Sequence, residues 1–278
     1  MADLITDLPD GLHADVSAEL YHARLPGLVS RTALTLFQRA PAVYKAWLDG
    51  ASPEDDEKPD LLFGAALHCA LLEPKVFARS YAVEPDFGDC RYKENKATRG
   101  AWRRENAGKA LLSAEDDATI SGMIRSIMAH PFAPKLLDGG DAEITALWRD
   151  EATGLRCKAR ADYYSPTLKL IVDVKTTRDG RERPFARSCA NYGYHLQRAF
   201  YGDGFVAAGA PVEMFVFLAV EKKPPYLVKL HQLDLAALAK GRDEVRETMA
   251  QLAECIRADH FPGYDPSIST ISLPPWAA

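Results

Sequence analysis

The pattern of apolar and polar positions divides the chain into a helical first half and a mixed second half. Apolar residues at helical spacing predict helices over 31–38, 41–48, 61–72 and 113–129. Ser30, Pro41 and Ser113 are residue types that commonly begin helices. The 61–72 segment is apolar nearly all round, which predicts a buried helix. Residues 1–29, which contain several prolines and glycines, are predicted to be irregular.

Five runs in the second half have the apolar pattern of strands. They cover 142–149, 155–164, 168–176, 212–221 and 226–233. A helix is predicted over 194–208, and a long helix over 235–257. This order lacks strict alternation of strands and helices, and no glycine-rich phosphate loop occurs. We therefore expect an α+β fold and not a doubly wound nucleotide-binding fold.

The third predicted strand carries two charges within an apolar run. Leu170, Val172 and Val174 should point to one face of the sheet, while Asp173 and Lys175 point to the other. Charges on a strand this apolar are costly unless they are paired or used. The run therefore contains candidate functional residues.

Asp162 lies on the preceding predicted strand, eleven residues before Asp173. With a turn at 165–167, the two strands can pair antiparallel and bring the two carboxylates opposite each other. Two carboxylates at that distance repel each other, and a divalent cation relieves the repulsion. Oxygen ligands suit Mg²⁺ or Mn²⁺ better than zinc. The alternative is a cross-strand ion pair between Lys175 and an aspartate on a solvent-facing sheet.

Several motifs together resemble a known nuclease superfamily. Asp…Asp-x-Lys on neighbouring strands is similar to the signature of the PD-(D/E)xK nucleases, and the spacing of Gln197 and Tyr201 resembles the helix of their RecB-type branch. The segment 64–74, which contains His68, resembles the G-x-x-x-H-x-x-x-L-E-P helix of the RecE (exonuclease VIII) family. Residues 21–44 and 273–277 resemble the opening arm and the ending of that family.

The resemblance implies a restriction-endonuclease-like core, with a central mixed β-sheet flanked by helices and preceded by a helical arm. We expect one exonuclease domain over 1–278, with an arm at 1–60, a nuclease core at 61–260 and a tail at 261–278. The implied activity is metal-dependent 5′→3′ digestion of linear double-stranded DNA, which leaves 3′ overhangs for phage-type recombination. A homo-oligomeric ring and a single-strand annealing partner are also implied.

The resemblance assigns roles to the motif residues as well. Asp162, Asp173 and the carbonyl of Val174 would hold Mg²⁺ or Mn²⁺, with His68 completing the site. Lys175 would hold the attacking water. Gln197 and Tyr201 would contact the DNA backbone or orient the lysine. Two alternatives remain open: His68 as an ordinary core histidine, and the Gln197/Tyr201 pair as the face of an ordinary amphipathic helix.

Charge adds candidate DNA contacts. The net charge of −5 argues against a broadly nucleic-acid-coated surface, but it allows a local basic channel. Two basic stretches supply candidate contacts to the DNA backbone. The first contains Arg99 and Arg103, and the second contains Arg178, Arg181 and Arg183. Arg31, at the start of a predicted helix, is a candidate for a terminal 5′-phosphate. The alternative for each stretch is a solvated surface.

Composition limits the cellular compartments and the protein classes that fit the chain. The five cysteines are scattered and form no C-x-x-C pair, which fits a reducing compartment and disfavours a zinc ribbon. No signal peptide and no membrane-spanning apolar run are visible, so a cytoplasmic protein is expected. Other functions remain open: a PD-(D/E)xK endonuclease, a single-strand nuclease, a small-molecule phosphoesterase, or a DNA-binding module without cleavage.

Overall fold

A computed structural model describes residues 5–51 and 58–273 of the 278-residue chain. Most of the predicted acidic loop at 50–60, and residues 274–277 of the predicted family-like ending, lie outside these ranges. In the described ranges, none of the helices has the length and apolar character needed to cross a membrane.

Six helices of the described chain match predicted segments, and the other five were not predicted. They are α1 (Ala18–His22), α2 (Arg31–Arg39), α3 (Pro41–Leu48), α4 (Lys58–Leu72), α5 (Pro74–Ser80), α6 (Lys93–Glu105), α7 (Ala114–Ala129), α8 (Ala133–Leu136), α9 (Glu182–Asn191), α10 (Tyr194–Ala207) and α11 (Leu235–Ala258). Ser30 and Ser113 cap α2 and α7, since each hydroxyl accepts a hydrogen bond from a backbone N–H three residues further on. Pro41 begins α3, where its missing N–H is not needed.

The strands form a central mixed sheet and a small separate one. They are β1 (Gly11–His13), β2 (Leu28–Val29), β3 (Tyr81–Val83), β4 (Ala110–Leu112), β5 (Asp141–Arg149), β6 (Arg156–Ser165), β7 (Leu170–Thr177), β8 (Met214–Glu221) and β9 (Val228–His231). The central order is β1-β5-β6-β7-β8-β9, with β2 beside β6. The β7–β8 and β2–β6 pairs are parallel, and the other pairs of this sheet are antiparallel. β3 and β4 pair parallel on their own.

Helices cover both faces of the central sheet. One apolar cluster packs α2, α10 and α11 on one face, and a second packs α4 and α7 on the other. Val172 and Val174 belong to the second cluster, whereas Ile171 belongs to the first. Asp173 and Lys175 share the parity of Ile171 and therefore face α10. The predicted division of this strand into an apolar face and a charged face is confirmed.

The prediction that residues 1–29 are irregular is wrong. β1 pairs with β5, and β2 pairs with β6, so this arm belongs to the sheet. Arg156 on β6 also binds the arm, through the carboxylate of Asp10 and the carbonyl of Thr6. These are backbone and polar interactions, which short segments can make without an apolar repeat.

Helix α9 was not predicted, because its residues were interpreted only as a basic stretch. Phe185 and Cys189 are four residues apart and form the buried face of this helix. Arg183 and Arg187 near these two positions conceal that apolar spacing in the sequence.

The contact between α10 and α11 is a close one. A Cβ added at Gly241 on α11 would lie 2.3 Å from the carbonyl oxygen of His195 on α10. We predict that Gly241→Ala lowers the free energy of unfolding by about 1–3 kcal/mol, because this backbone contact cannot relax without moving a helix. Urea unfolding measures the change.

Gly100→Ala on α6 is the matched control, since its Cβ would meet only the end of the Arg104 side chain, at 3.6 Å. That control should change the free energy of unfolding by no more than about 1 kcal/mol. Equal effects of the two substitutions would contradict the packing argument.

Candidate active site

Strand register brings three acidic residues to one level of the sheet. The pairs Ala142↔Tyr163 and Ile144↔Ala161 flank the level at which Glu143 on β5 and Asp162 on β6 lie opposite each other. Because Tyr163 pairs with Val172, the next position places Asp162 level with Asp173 on β7. Acidic residues therefore lie level with one another on three neighbouring strands.

The β6–β7 ladder opens at this level. The pairing ends at Tyr163↔Val172, and beyond it the backbone N–H of Val174 donates to Oδ2 of Asp162 at 2.7 Å. A side chain thus takes the place of a ladder partner, and the strands part. Asp162 matches Asp173 in register, as predicted, but its carboxylate turns to the backbone of Val174.

His68 reaches this opening from α4, on the other face of the sheet. Its Nε2 lies 2.9 Å from the carbonyl oxygen of Val174, and its Nδ1 lies 3.4 Å from Oδ2 of Asp162. The side chain is 24% exposed, so it lies at the wall of an open site. The structure therefore places His68 beside two of the atoms with which the sequence analysis grouped it.

Glu143 is a site residue that sequence reasoning missed. Burial and, to a lesser extent, the nearby charge of Asp162 raise the pKa of its carboxyl to about 7, against the lowering effect of Arg160. Its backbone has a φ of 54°, a value uncommon outside glycine. The usable signal was an acidic residue inside the strand predicted to form a hairpin with the Asp162 strand.

The side chains around the opening fit a divalent cation. Ligand atoms of His68, Glu143 and Asp162 all lie within 4.8 Å of one another. Two carboxylates and an imidazole this close, none fully exposed, repel or lose hydration unless a cation joins them. The donor set of two carboxylates, one imidazole and the nearby Val174 carbonyl suits Mg²⁺ or Mn²⁺.

Asp173, which the sequence analysis expected among the metal ligands, lies outside that set of three residues. Only 2% of its side chain is exposed, with Lys175 Nζ 2.6 Å from one carboxylate oxygen and Gln197 donating to the other at 2.6 Å. Burial raises the pKa of Asp173 despite the opposing effect of Lys175. Burial acts to lower the pKa of Lys175, but the charges of Asp173 and Asp162 raise it on balance. Gln197 therefore donates to the aspartate that is paired with Lys175.

Two tyrosines of α10 complete this side of the site. Tyr201 is one turn after Gln197, and burial raises its pKa well above 10. It contacts Tyr21 of the arm. Lys175 Nζ lies 5.0 Å from the centre of the Tyr194 ring. These rings leave little water around the lysine.

A cavity of about 630 Å³ opens over the acidic cluster. Its walls come from the arm, α4, α5, α10, β5 and β6, and include His68, Glu143, Asp162 and Tyr201. The arm is held there by cations of β6: Lys158 donates to the carbonyl of Ala23 at 2.8 Å, and Arg160 donates to that of Val16 at 2.6 Å. The cavity is therefore closed on one side by a segment that the sequence did not place.

The candidate DNA-binding arginines occupy different surroundings. Arg99 and Arg103 both bind Glu84, Arg181 binds Asp179, and Arg31 donates to the carbonyl of Tyr192. Arg178 and Arg183 are exposed, and no carboxylate of the described residues lies within 4.0 Å of either. The last two keep their charge most available to a phosphate backbone.

The raised pKa of Glu143 gives a test of the acidic cluster. A carboxyl whose pKa rises from 4.5 to about 7 on folding destabilises the native state once it is ionised. Stability should therefore fall as pH rises from about 4.5 to 7. We predict that Glu143→Gln, measured by urea unfolding in chelator, raises the free energy of unfolding more at pH 8 than at pH 5.

Glu213→Gln, at an exposed glutamate, should show no such difference between the two pH values. An equal effect of Glu143→Gln at pH 5 and pH 8 would count against close packing of Glu143 with Asp162.

Known proteins resemble this chain in fold and in family. Among solved structures, the chain is similar to one described as a "putative exonuclease" from Eubacterium rectale, at 14% identity and a TM-score of 0.60, with 87% of each chain covered. It also matches a phage related exonuclease from Haemophilus somnus 129PT, at 14% identity over 62% of this chain and 92% of that chain, but the TM-score of 0.31 is too low to support an inference. No curated protein matches.

The first of these likenesses supports the predicted fold: an α+β core with a central mixed sheet flanked by helices. Residues 30–271 match the model of a family described as "PDDEXK-like domain of unknown function (DUF3799)". Because this match spans most of the sequence, the chain belongs to that PDDEXK-like family.

Proposed function

We propose that this protein is a metal-dependent nuclease that hydrolyses phosphodiester bonds of DNA. The observation that carries the proposal is the cluster of His68, Glu143 and Asp162 beside the Asp173–Lys175 pair. A cation-binding set next to a half-buried lysine provides the groups needed to attack a phosphodiester. Family membership supports the same chemistry.

Each residue has a defined task in this mechanism. His68, Glu143 and Asp162 would hold the cation, with the Val174 carbonyl beside them; when bound, the cation lowers the pKa of water and neutralises phosphate charge. Asp173 holds Lys175 at 2.6 Å. Lys175 then positions the attacking water and stabilises the negative charge that develops on the phosphoryl oxygens.

Gln197 has a supporting task. It donates to Asp173 from α10 and fixes the carboxylate to which Lys175 is paired. Tyr201 and Tyr194 keep this pair away from bulk water, which strengthens the electrostatic interactions within it.

The proposed substrate is the end of linear double-stranded DNA, digested 5′→3′ by an exodeoxyribonuclease of the RecE type with Mg²⁺ as the cation. The sequence resemblance over His68, the Asp-x-Lys strand and the Gln197/Tyr201 helix supports this specificity. A single domain over 1–278, a homo-oligomeric ring, a cytoplasmic location and a single-strand annealing partner belong to the same proposal.

The activity test compares linear and circular DNA. We expect purified protein with Mg²⁺ or Mn²⁺ to release nucleotides from end-labelled linear duplex, starting at the 5′ label, and to do nothing in chelator. Closed circular duplex should survive, because an exonuclease has no end to begin from. Cleavage of the circle would identify an endonuclease instead, and binding without cleavage would identify a DNA-binding module.

Lys175→Ala and Asp162→Asn test the site itself. Each should lower the rate of cleavage by roughly 100-fold or more, the scale of a lost charge-stabilising group, while binding of duplex DNA changes little. Lys169→Ala, at a lysine just before β7 that is 45% exposed, is the control and should cleave at the wild-type rate. Wild-type rates for Lys175→Ala would refute the assignment.

Arg31 is the proposed contact for a terminal 5′-phosphate. It begins α2, whose N-terminal end favours anions, and its Nε is buried with no hydrogen-bond partner in the described chain. We expect Arg31→Ala to lose any preference for 5′-phosphorylated over 5′-hydroxyl ends, measured as the ratio of initial rates. An unchanged ratio would remove Arg31 from this role.

A further inference from the structure

An exposed aromatic ring lies at the rim of the catalytic region. Tyr192 follows α9 directly, and 60% of its surface is exposed to solvent. Gly193 comes next with a φ of 63°, and α10 begins at Tyr194. The left-handed turn at Gly193 lets two tyrosines separated by one residue come together.

The two tyrosine rings form a stack that extends into the interior of the protein. Tyr192 and Tyr194 lie 5.8 Å apart between ring centres, at an interplanar angle of 27°. Tyr194 in turn stacks on Phe217 of β8 at 5.5 Å and 22°. Since Lys175 Nζ lies 5.0 Å from the Tyr194 ring, the exposed Tyr192 is one ring away from the residue proposed to position the attacking water.

Arg31 fixes the outer end of this stack. Its guanidinium donates to the carbonyl oxygen of Tyr192. An ideal Cβ at Gly193 would lie 3.8 Å from Arg31 Nη2, so the cation also lies against the turn between the two tyrosines. A fixed cation beside an exposed, supported ring matches the two halves of a nucleotide, the phosphate and the base.

We propose that Tyr192 is a stacking platform for a nucleobase of the DNA strand that enters the catalytic cavity. This inference rests on the proposed nuclease function and adds to it a base-binding subsite. Every base has a π-face, so such a platform holds nucleotides without choosing among sequences. The Tyr194–Phe217 stack beneath Tyr192 limits the ring's freedom, which lowers the entropic cost of binding a base.

The experiment uses bases that can be removed from the substrate. A series of linear duplexes is compared with the intact duplex. Each member of the series carries a single abasic nucleotide, at one of the first few positions from the 5′ end. For wild-type protein we expect one position at which base loss lowers kcat/KM by roughly tenfold, the scale of a lost base–aromatic stack. Tyr192→Ala should be slow on both substrates and should no longer distinguish them, while Tyr192→Phe retains the discrimination.

Tyr264→Ala is the matched control, because Tyr264 is 76% exposed and lies in the tail. It should discriminate as the wild type does. Thermal unfolding of each variant shows whether the fold is intact. Fluorescence anisotropy of labelled intact and abasic oligonucleotides, recorded in chelator, gives a second readout that needs no cleavage.

The outcomes separate the two proposals. Discrimination by Tyr192→Ala equal to that of the wild type overturns the platform, as does a wild type that shows none at any position in either readout. A wild type that binds intact strands better than abasic ones but cleaves neither would overturn the nuclease function and leave the platform standing. A Tyr192→Ala variant that changes the oligomeric mass and not the discrimination shows that a second copy covers the ring, which also overturns the proposal.

Discussion

The hydrogen bond from the Val174 N–H to Asp162 is the interaction on which the site depends. It ends regular pairing between β6 and β7, and at the gap the Val174 carbonyl oxygen lies 2.9 Å from His68 Nε2. His68 enters that gap from α4, and Glu143 approaches it from β5. A fully paired ladder would have satisfied the same backbone groups internally, with no place for a cation.

The charged residues of β6 also depend on contacts with neighbouring backbone. Arg156, Lys158, Arg160 and Asp162 occupy alternate positions and therefore share a face. The three cations bind backbone carbonyls of the arm, and the aspartate follows as the last member of the row. Cations that would be costly to bury are thus satisfied by the segment that covers them. The same segment then becomes a wall of the cavity.

The sequence was sufficient for the parts of the site that depend on local rules. Alternation along β7 separated Asp173 and Lys175 from the apolar face, and the short turn before it placed Asp162 at the matching level. Glu143 was missed although the predicted hairpin placed its strand beside β6, because the register between the two strands appears only in the paired sheet. The arm was missed because its buried apolar residues Ile5, Val16 and Leu28 have no regular spacing, and backbone pairing and carbonyl contacts hold the rest of it. The division into arm, core and tail stays a prediction.

The position of Gln197 has a consequence for how the protein would lose activity on heating. His68 comes from the layer of α4 and α7, whereas Gln197 comes from the layer of α10 and α11, and the sheet lies between them. Each layer can loosen by itself at a free energy below that of global unfolding. Activity is therefore lost when the weaker of the two packing interfaces loosens. Catalysis should fail at a lower temperature than the one at which circular dichroism shows the helices to unfold.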